Sequence, residues 1–256
     1  MGRFLIVLCV ATGLWAALSP AVAPNAGPSA ADAAGPASAP AAGEEGFVQL
    51  FNGKDMTGWE GFADLWSVKD GVIVGQTKSD PKLAHNSFLV YTARPFGDFD
   101  LRLSFRITSA WGNSGIQFRS KVLDKGKMGP IVGGYQADME SGTKYTGMLY
   151  EERGRGIIGP RGQKTIVGAD GKKTTEASDV AKSDDVQATI KAGQWNTYRI
   201  LAKGNVIQLF INGLKSAELV DNQEAKAAKT GVIALQLHAG QPMQVEYKDI
   251  RIKELK

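Results

Sequence analysis

The sequence predicts an all-β fold of short antiparallel strands, arranged as a sandwich or a closed barrel, and three observations support this prediction. Apolar and polar residues alternate with period two almost everywhere after residue 45. Tight turns that contain glycine separate the alternating runs. A helical pattern occurs only over 222–229, and that stretch is too short to form a layer. The turns are Asn52-Gly53, Lys69-Asp70-Gly71, Lys203-Gly204-Asn205 and Asn212-Gly213.

The clearest strand runs from Phe99 to Ile107. Every second residue in it is apolar and the residues between are polar, so one face is dry and the other is wet. A register shift of one residue would bury three charged side chains. The other predicted strands are 47–51, 66–68, 72–76, 87–91, 115–119, 135–140, 147–151, 195–202, 206–211, 231–238 and 245–253.

The amino-terminal segment predicts export and a linker. A basic start at Arg3, an apolar run over 4–18 and the triplet Ala21-Val22-Ala23 are typical of a cleavable signal peptide over 1–23. Residues 24–45 are rich in Ala, Pro and Gly and predict a linker, and 46–256 predict the folded domain. We therefore expect a secreted or periplasmic protein with no membrane span after cleavage.

The single cysteine, Cys9, lies inside the predicted signal peptide. The mature protein is then free of disulfides, and a hydrophobic core must stabilise it. The residue before Cys9 is Leu8 rather than the small residue of a lipoprotein processing site, so the pattern favours cleavage over lipid anchoring.

Charge and composition argue against several classes of ligand. The net charge is +4, but Lys and Arg are interspersed with Asp and Glu, which does not predict nucleic-acid binding. Two histidines without a histidine cluster argue against zinc. Calcium is compatible with the loops, although no ligand loop stands out, so we predict no cofactor. The sequence makes no prediction of the oligomeric state.

A set of short phrases, taken in order, resembles one family. The phrases are Leu50-Phe51-Asn52-Gly53-Lys54-Asp55, Trp66-Ser67-Val68-Lys69-Asp70-Gly71, Asn113-Ser114-Gly115-Ile116-Gln117-Phe118-Arg119, Gly134-Tyr135-Gln136-Ala137-Asp138, Thr146-Gly147-Met148-Leu149-Tyr150, Ile211-Asn212-Gly213 and Ile233-Ala234-Leu235-Gln236-Leu237-His238. From Phe47 to Leu255 the chain is similar to the 3-keto-disaccharide hydrolase domain family, formerly a domain of unknown function. The resemblance implies a concanavalin-A-like jelly-roll β-sandwich of two antiparallel sheets. It also implies cleavage of glycosides already oxidised at C3, by hydrolysis or by elimination followed by hydration.

Strand pleating predicts a polar cluster without reference to the family. Gln136, Asp138 and Glu140 project from one face of their strand, at steps of about 6.5–7 Å, close enough for two carboxyls to affect each other's titration. The same rule turns polar side chains outward on two other strands. If the three strands share one curved sheet, these polar side chains line one concavity together with Gln136, Asp138 and Glu140. The additional members are Gln117, Arg119, Gln236 and His238.

A ketone at C3 acidifies the hydrogen on C2, so the reaction needs a base, an acid and a positive group near the enolate. We assign Asp138, Glu140 and His238 to the proton transfers, with their individual roles open, and Arg119 to the carbonyl or enolate oxygen. The partner is an oligosaccharide or 3-keto-sugar. The predicted substrate-binding residues are Trp111, Asn113, Gln117, Gln136, Tyr150, Glu151, Arg153 and Gln236.

Other interpretations fit the same residues. A non-catalytic carbohydrate-binding module of the cell envelope needs the same fold and the same aromatic and amide side chains. A purely structural protein would have no polar concavity. Asp138 and Glu140 also fit a solvated sheet face, His238 a structural hydrogen bond, and Arg119 an ion pair with Asp138.

Overall fold

The computed structural model describes residues 45–256. The predicted signal peptide, Cys9 and the linker up to residue 44 lie outside the described residues. The elements are β1 Val48–Gln49, β2 Trp59–Glu60, β3 Trp66–Lys69, β4 Val72–Gln76, β5 Ser87–Tyr91, β6 Phe99–Ile107, β7 Asn113–Asp124, β8 Ile131–Glu140, β9 Leu149–Glu152, β10 Gly156–Gly159, β11 Lys164–Val167, β12 Lys173–Glu176, α1 Ser183–Thr189, β13 Asn196–Lys203, β14 Val206–Ile211, β15 Leu214–Asp221, β16 Val232–Leu237 and β17 Gln244–Glu254.

The strands form two sheets, as a sandwich requires. Sheet A has ten strands in the order β12-β11-β15-β14-β13-β6-β17-β4-β3, with β1 added to β17, and sheet B has seven in the order β10-β9-β8-β7-β16-β5-β2. All pairings are antiparallel except that of β11 with β15. The predicted all-β sandwich is confirmed, and the closed barrel is not formed.

The inner faces of the two sheets share one hydrophobic core. On β6 the alternation is as predicted from Leu101 onward, with Leu101 and Leu103 buried and Arg102 half-buried on the outer face. Asp100, expected on the wet face, is buried in ion pairs with Arg102 and Arg199. Across the core, Phe99 of sheet A meets Phe118 of sheet B edge to face, with ring centroids 6.1 Å apart. This packing removes the inward-facing apolar side chains of both sheets from water and stabilises the sandwich.

The predicted helix over 222–229 is wrong. The helix lies at Ser183–Thr189, where Asp184 and Asp185 occupy the first turn and Val186 is buried. Residues 222–229 contain only a short turn, because the N–H of Asn222 donates to the carbonyl of Val167 and ties the segment to β11. Five strands that the structure contains were also not predicted from the sequence: β2, β10, β11, β12 and β15.

The outer face of sheet B has two halves. Over β5 and β16, Phe88, Val90 and Ala234 form a small apolar cluster with Val132 of the β7–β8 hairpin. The tip of that hairpin reaches β5, where the Ser87 hydroxyl donates to the carbonyl of Met128 at 2.5 Å. The hairpin therefore covers the apolar half, and the polar half extends over β7, β8, β9 and β16.

Candidate active site

A cluster of buried amides lies on the polar half of sheet B. Gln136 Oε1 accepts hydrogen bonds from Gln117 Nε2 at 2.6 Å and Gln236 Nε2 at 2.8 Å. Gln136 Nε2 in turn donates to Asp138 Oδ1 at 3.0 Å. Gln117 and Gln236 are fully buried, and Gln136 is 2% exposed. In each of these hydrogen bonds an amide nitrogen donates and an oxygen accepts. Together the bonds hold Oδ1 of Asp138 in place.

Gly115 makes room for this arrangement. It is the cross-strand partner of Asp138 in the β7–β8 ladder. A Cβ atom at this position would lie 2.5 Å from Cδ of Gln136, which is far inside van der Waals contact. The missing side chain thus lets the Gln136 amide lie against β7 beside Asp138.

Asp138 has the most strongly perturbed carboxyl of the cluster. Burial raises the pKa of Asp138 to about 8, and the negative charges of Glu140 and Glu152 act in the same direction, against the hydrogen bonds from Gln136 and the backbone of Met139. Only 6% of the residue is exposed. The carboxyl therefore holds its proton near neutral pH and is suited to act as an acid.

Glu152 is a second carboxylate of the site, half-buried, and it was not identified from the sequence. Burial raises its pKa, opposed by a hydrogen bond from Asn86 and by the charges of Arg153 and His238. Asn86 Nδ2 donates to Oε1 at 3.1 Å, and Gln236 Nε2 lies 3.4 Å from Oε2. Pleating would have found Glu152, because it lies two residues after Tyr150 on the same face of β9.

His238 follows β16 and is oriented by the backbone. Its Nδ1 lies 2.5 Å from the carbonyl oxygen of Ala239, so Nδ1 donates its hydrogen to that oxygen and orients the ring. Asn86 also supports this segment, because its Oδ1 accepts the N–H of Ala239 at 2.9 Å. Asn86 thus connects the backbone at His238 to the carboxylate of Glu152.

A pocket of about 360 Å³ adjoins the end of the cluster. The residues that line it include Trp111, Asn113, Glu140, Tyr145 and His238. Trp111 and His238 meet edge to face, with ring centroids 6.1 Å apart. The pocket thus combines aromatic and polar groups, a composition that suits a sugar ring.

Arg119 does not belong to this site, and its predicted orientation is wrong. The β7–β8 register shifts between Phe118 and Lys121, and Arg119 has a φ of 46° at the irregularity. Its guanidinium donates to the carbonyls of Gly97 at 2.8 Å and Gly204 at 2.7 Å and to Asp98 at 2.6 Å. The ion pair with Asp138 is therefore not formed either.

Ser120 takes the outward position that pleating assigned to Arg119. Its hydroxyl donates to Gln117 Oε1 at 2.7 Å, which joins it to the amide cluster. The bulge adds one residue to β7. The side chain of Ser120 therefore faces the site, whereas the side chain of Arg119 does not.

Glu151 also faces away from the site. Its carboxylate pairs with Arg155, which binds Asp221 of sheet A through two hydrogen bonds of 2.7 and 3.0 Å. The Tyr135 hydroxyl donates to the same aspartate. Glu151 is thus part of a structural connection between the sheets.

The other predicted binding residues are nearer to the cluster. Tyr150 is half-buried, and burial raises its pKa, as do the charges of Glu152 and Asp138. Arg153 is exposed in the turn after β9 with a φ of 54°, and its charge acts on Glu152. The structure thus gathers Gln117, Gln136, Asp138, Tyr150, Arg153 and Gln236 around Glu152, with Trp111, Asn113, Glu140 and His238 at the pocket.

Two further findings concern residues 45–256 alone. No helix in this range is long and apolar enough to cross a membrane. No group of three or more His, Cys, Asp or Glu side chains in the same range is arranged to hold a metal ion.

Comparison with known proteins adds a family and a fold. Residues 46–253 match the 3-keto-alpha-glucoside-1,2-lyase-like domain. Crystal structures of two candidate glycosyl hydrolases from Parabacteroides distasonis are 23% and 19% identical to this chain, with TM-scores of 0.50 and 0.52. The first match covers 83% of this chain and 95% of the other, and the second covers 82% and 99%.

A Bacillus subtilis protein of unknown function with a galectin-like fold has a TM-score of 0.52 at 14% identity, covering 81% of this chain and 94% of that one. At these identities the solved structures show the fold alone, and they confirm the predicted jelly-roll sandwich. No curated protein sequence matches this chain.

Proposed function

This chain belongs to the 3-keto-alpha-glucoside-1,2-lyase-like domain family, and from that premise we propose that it cleaves glycosides whose sugar carries a ketone at C3. The observation that carries the proposal is the pair formed by the buried Asp138 and the half-buried Glu152, both with raised pKa, on one sheet face beside His238 and an aromatic pocket. Acid and base groups held this way are what the reaction requires.

The proposed chemistry begins at C2. A base removes the C2 proton, and the electron pair moves into the ketone to give an enolate at the C3 oxygen. When the ketone re-forms, the C1–O bond breaks, and an acid protonates the departing oxygen. The products are an alcohol and an enone with a C1–C2 double bond. Water then adds across that double bond.

The residues suit different steps. Asp138 keeps its proton near neutral pH and is suited to protonate the departing oxygen. Glu152 is the proposed base, and His238, whose charge acts on Glu152, is the second group proposed for proton transfer. Arg153 brings a positive charge to Glu152 and replaces Arg119 as the proposed partner of the enolate.

The test uses a 3-keto-disaccharide and its unoxidised parent with the purified protein. We expect turnover of the keto sugar alone, lost in Asp138→Asn and Glu152→Gln and kept in Asp64→Asn, an exposed aspartate in the turn before β3. Binding of both sugars without product would refute the proposal and favour a carbohydrate-binding module.

A deuterium label at C2 separates the two routes of cleavage. Elimination breaks the C2–H bond, so the deuterium is lost to solvent and the rate falls when that step limits turnover. Direct hydrolysis keeps the label in the product. Retention of deuterium would therefore exclude the elimination steps while leaving cleavage of keto sugars intact.

A further inference from the structure

We propose that the pocket beside Asp138 binds the leaving group, and that Glu140 selects leaving groups that are neutral or cationic and rejects anionic ones. We use the name leaving-group pocket for the space whose lining includes Trp111, Asn113, Glu140, Tyr145 and His238. The inference rests on the proposed function for the position of the scissile bond.

The position of Glu140 follows from the strand. It lies two residues after Asp138 on the same face of β8, about 7 Å along the strand, and pairs with Asn113 of β7. If the acid at Asp138 protonates the departing oxygen, the part of the substrate that leaves extends from that point into the pocket. Glu140 then contacts the leaving group rather than the oxidised ring.

The two carboxylate oxygens of Glu140 have different surroundings. Oε1 accepts the backbone N–H groups of Lys144 at 2.5 Å and Tyr145 at 2.7 Å. Oε2 accepts no hydrogen bond from the residues that the structure describes. A carboxylate only accepts hydrogen bonds, so Oε2 can bind a hydroxyl or an ammonium group, whereas a second carboxylate would be repelled.

The loop that carries Tyr145 is held in place, so the pocket does not depend on an ordering step. Arg161 donates to the carbonyls of Thr143 at 2.7 Å and Thr146 at 2.9 Å. It also binds Gln187 of α1 at 3.0 Å, which ties the loop to the helix. These bonds occupy donors of Arg161 that could otherwise bind an anionic group directly, while its positive charge still acts on Glu140.

The other cation of the loop lies outside the pocket lining. Nζ of Lys144 is 5.1 Å from the centroid of the Tyr145 ring, and the side chain is exposed. Among the described residues that line the pocket, Glu140 is the only carboxylate and His238 the only imidazole. The pocket therefore has the electrostatics of a site for polar, hydroxyl-rich or amino-substituted groups.

The test compares three substrates that share one 3-keto-glucosyl unit and differ in the leaving sugar: glucose, glucosamine or glucuronic acid. We expect the protein to have kcat/KM for the glucuronic acid substrate at least about tenfold below that for the glucosamine substrate. Glu140→Gln should reduce that ratio to about two, since an amide oxygen still accepts the loop N–H groups while the charge is gone.

The control is Asp185→Asn, which removes the same charge from an exposed position on α1 and should leave the ratio unchanged. A wild-type preference for glucuronic acid, or an unchanged ratio in Glu140→Gln, would overturn the inference. Direct binding of methyl glucosaminide and methyl glucuronide, measured by calorimetry on the same proteins, separates the two proposals. Charge selection that depends on Glu140 in binding without any turnover would retain the pocket and refute the cleavage.

Discussion

Replacing Asp138 by asparagine should make the protein more stable at neutral pH while removing its activity. The carboxyl has a pKa of about 8 in the fold, well above its ordinary value near 4. The folded state therefore keeps a proton that the unfolded chain releases, and the contribution of this group to stability falls as the pH rises from about 4 to about 8. At pH 7 the folded carboxyl is still protonated, whereas the pH is about three units above the pKa of the unfolded carboxyl.

The magnitude follows from that separation. Each unit corresponds to about 1.4 kcal/mol, so ionisation of Asp138 in the unfolded chain lowers stability by about 4 kcal/mol at pH 7. Asparagine keeps the oxygen that accepts from Gln136, but its new N–H group needs a partner, and an unpaired one costs about 2 kcal/mol. We expect a net gain in the free energy of unfolding of about 2 to 4 kcal/mol.

Urea unfolding of the wild type, Asp138→Asn and Asp64→Asn at pH 5, 7 and 8.5 measures this effect. The gap between Asp138→Asn and the wild type should be small at pH 5 and widen up to about pH 8. Subtracting the wild-type free energy of unfolding from that of Asp138→Asn cancels the contributions of the other titrating groups. Asp64→Asn should follow the wild type at every pH. Parallel curves, or a loss of stability in Asp138→Asn at pH 8.5, would refute the buried neutral acid.

Three other changes have definite outcomes. Glu152→Gln should lower kcat by about 10² to 10⁴ with no loss in urea stability, and near-normal kcat would remove Glu152 from catalysis. Gly115→Ala places a Cβ 2.5 Å from Gln136, so we expect a loss of about 1 to 3 kcal/mol in urea unfolding together with reduced kcat; an unaffected enzyme would contradict the packing. Arg119→Met leaves two backbone carbonyls without their donor. It should cost about 3 kcal/mol while kcat/KM of the folded enzyme stays normal, whereas a catalytic loss without destabilisation would restore the predicted role of Arg119.

The regular parts of the strands were predictable from the sequence. Alternation along β8 assigned Gln136 and Asp138 to one face and Ala137 to the core, because side chains of an undistorted strand alternate strictly. The same rule covered Gln117 on the first half of β7. Here local pattern and final packing agree.

The errors in the predicted site residues arose where the backbone departs from strict alternation, or where a partner distant in the sequence determines the orientation of a side chain. A bulge within β7 turned Arg119 inward, and a sequence without an alignment carries no clear signal for it. Glu151 faces inward because Arg155, in the turn after β9, pairs both with Glu151 and with Asp221 of the other sheet. Glu152 was within reach, because the rule that placed Tyr150 places it too.

Both ends of the described chain belong to sheet A, since β1 pairs with β17 and Nζ of Lys253 donates to the carbonyl of Glu45 at 2.9 Å. The amide cluster occupies the outer side of the opposite sheet. A tag added after Lys256 would thus attach the protein to a biosensor surface through sheet A. The outer face of sheet B, with the amide cluster, would then stay accessible to analyte in the flow. Immobilised and free protein should give the same affinity.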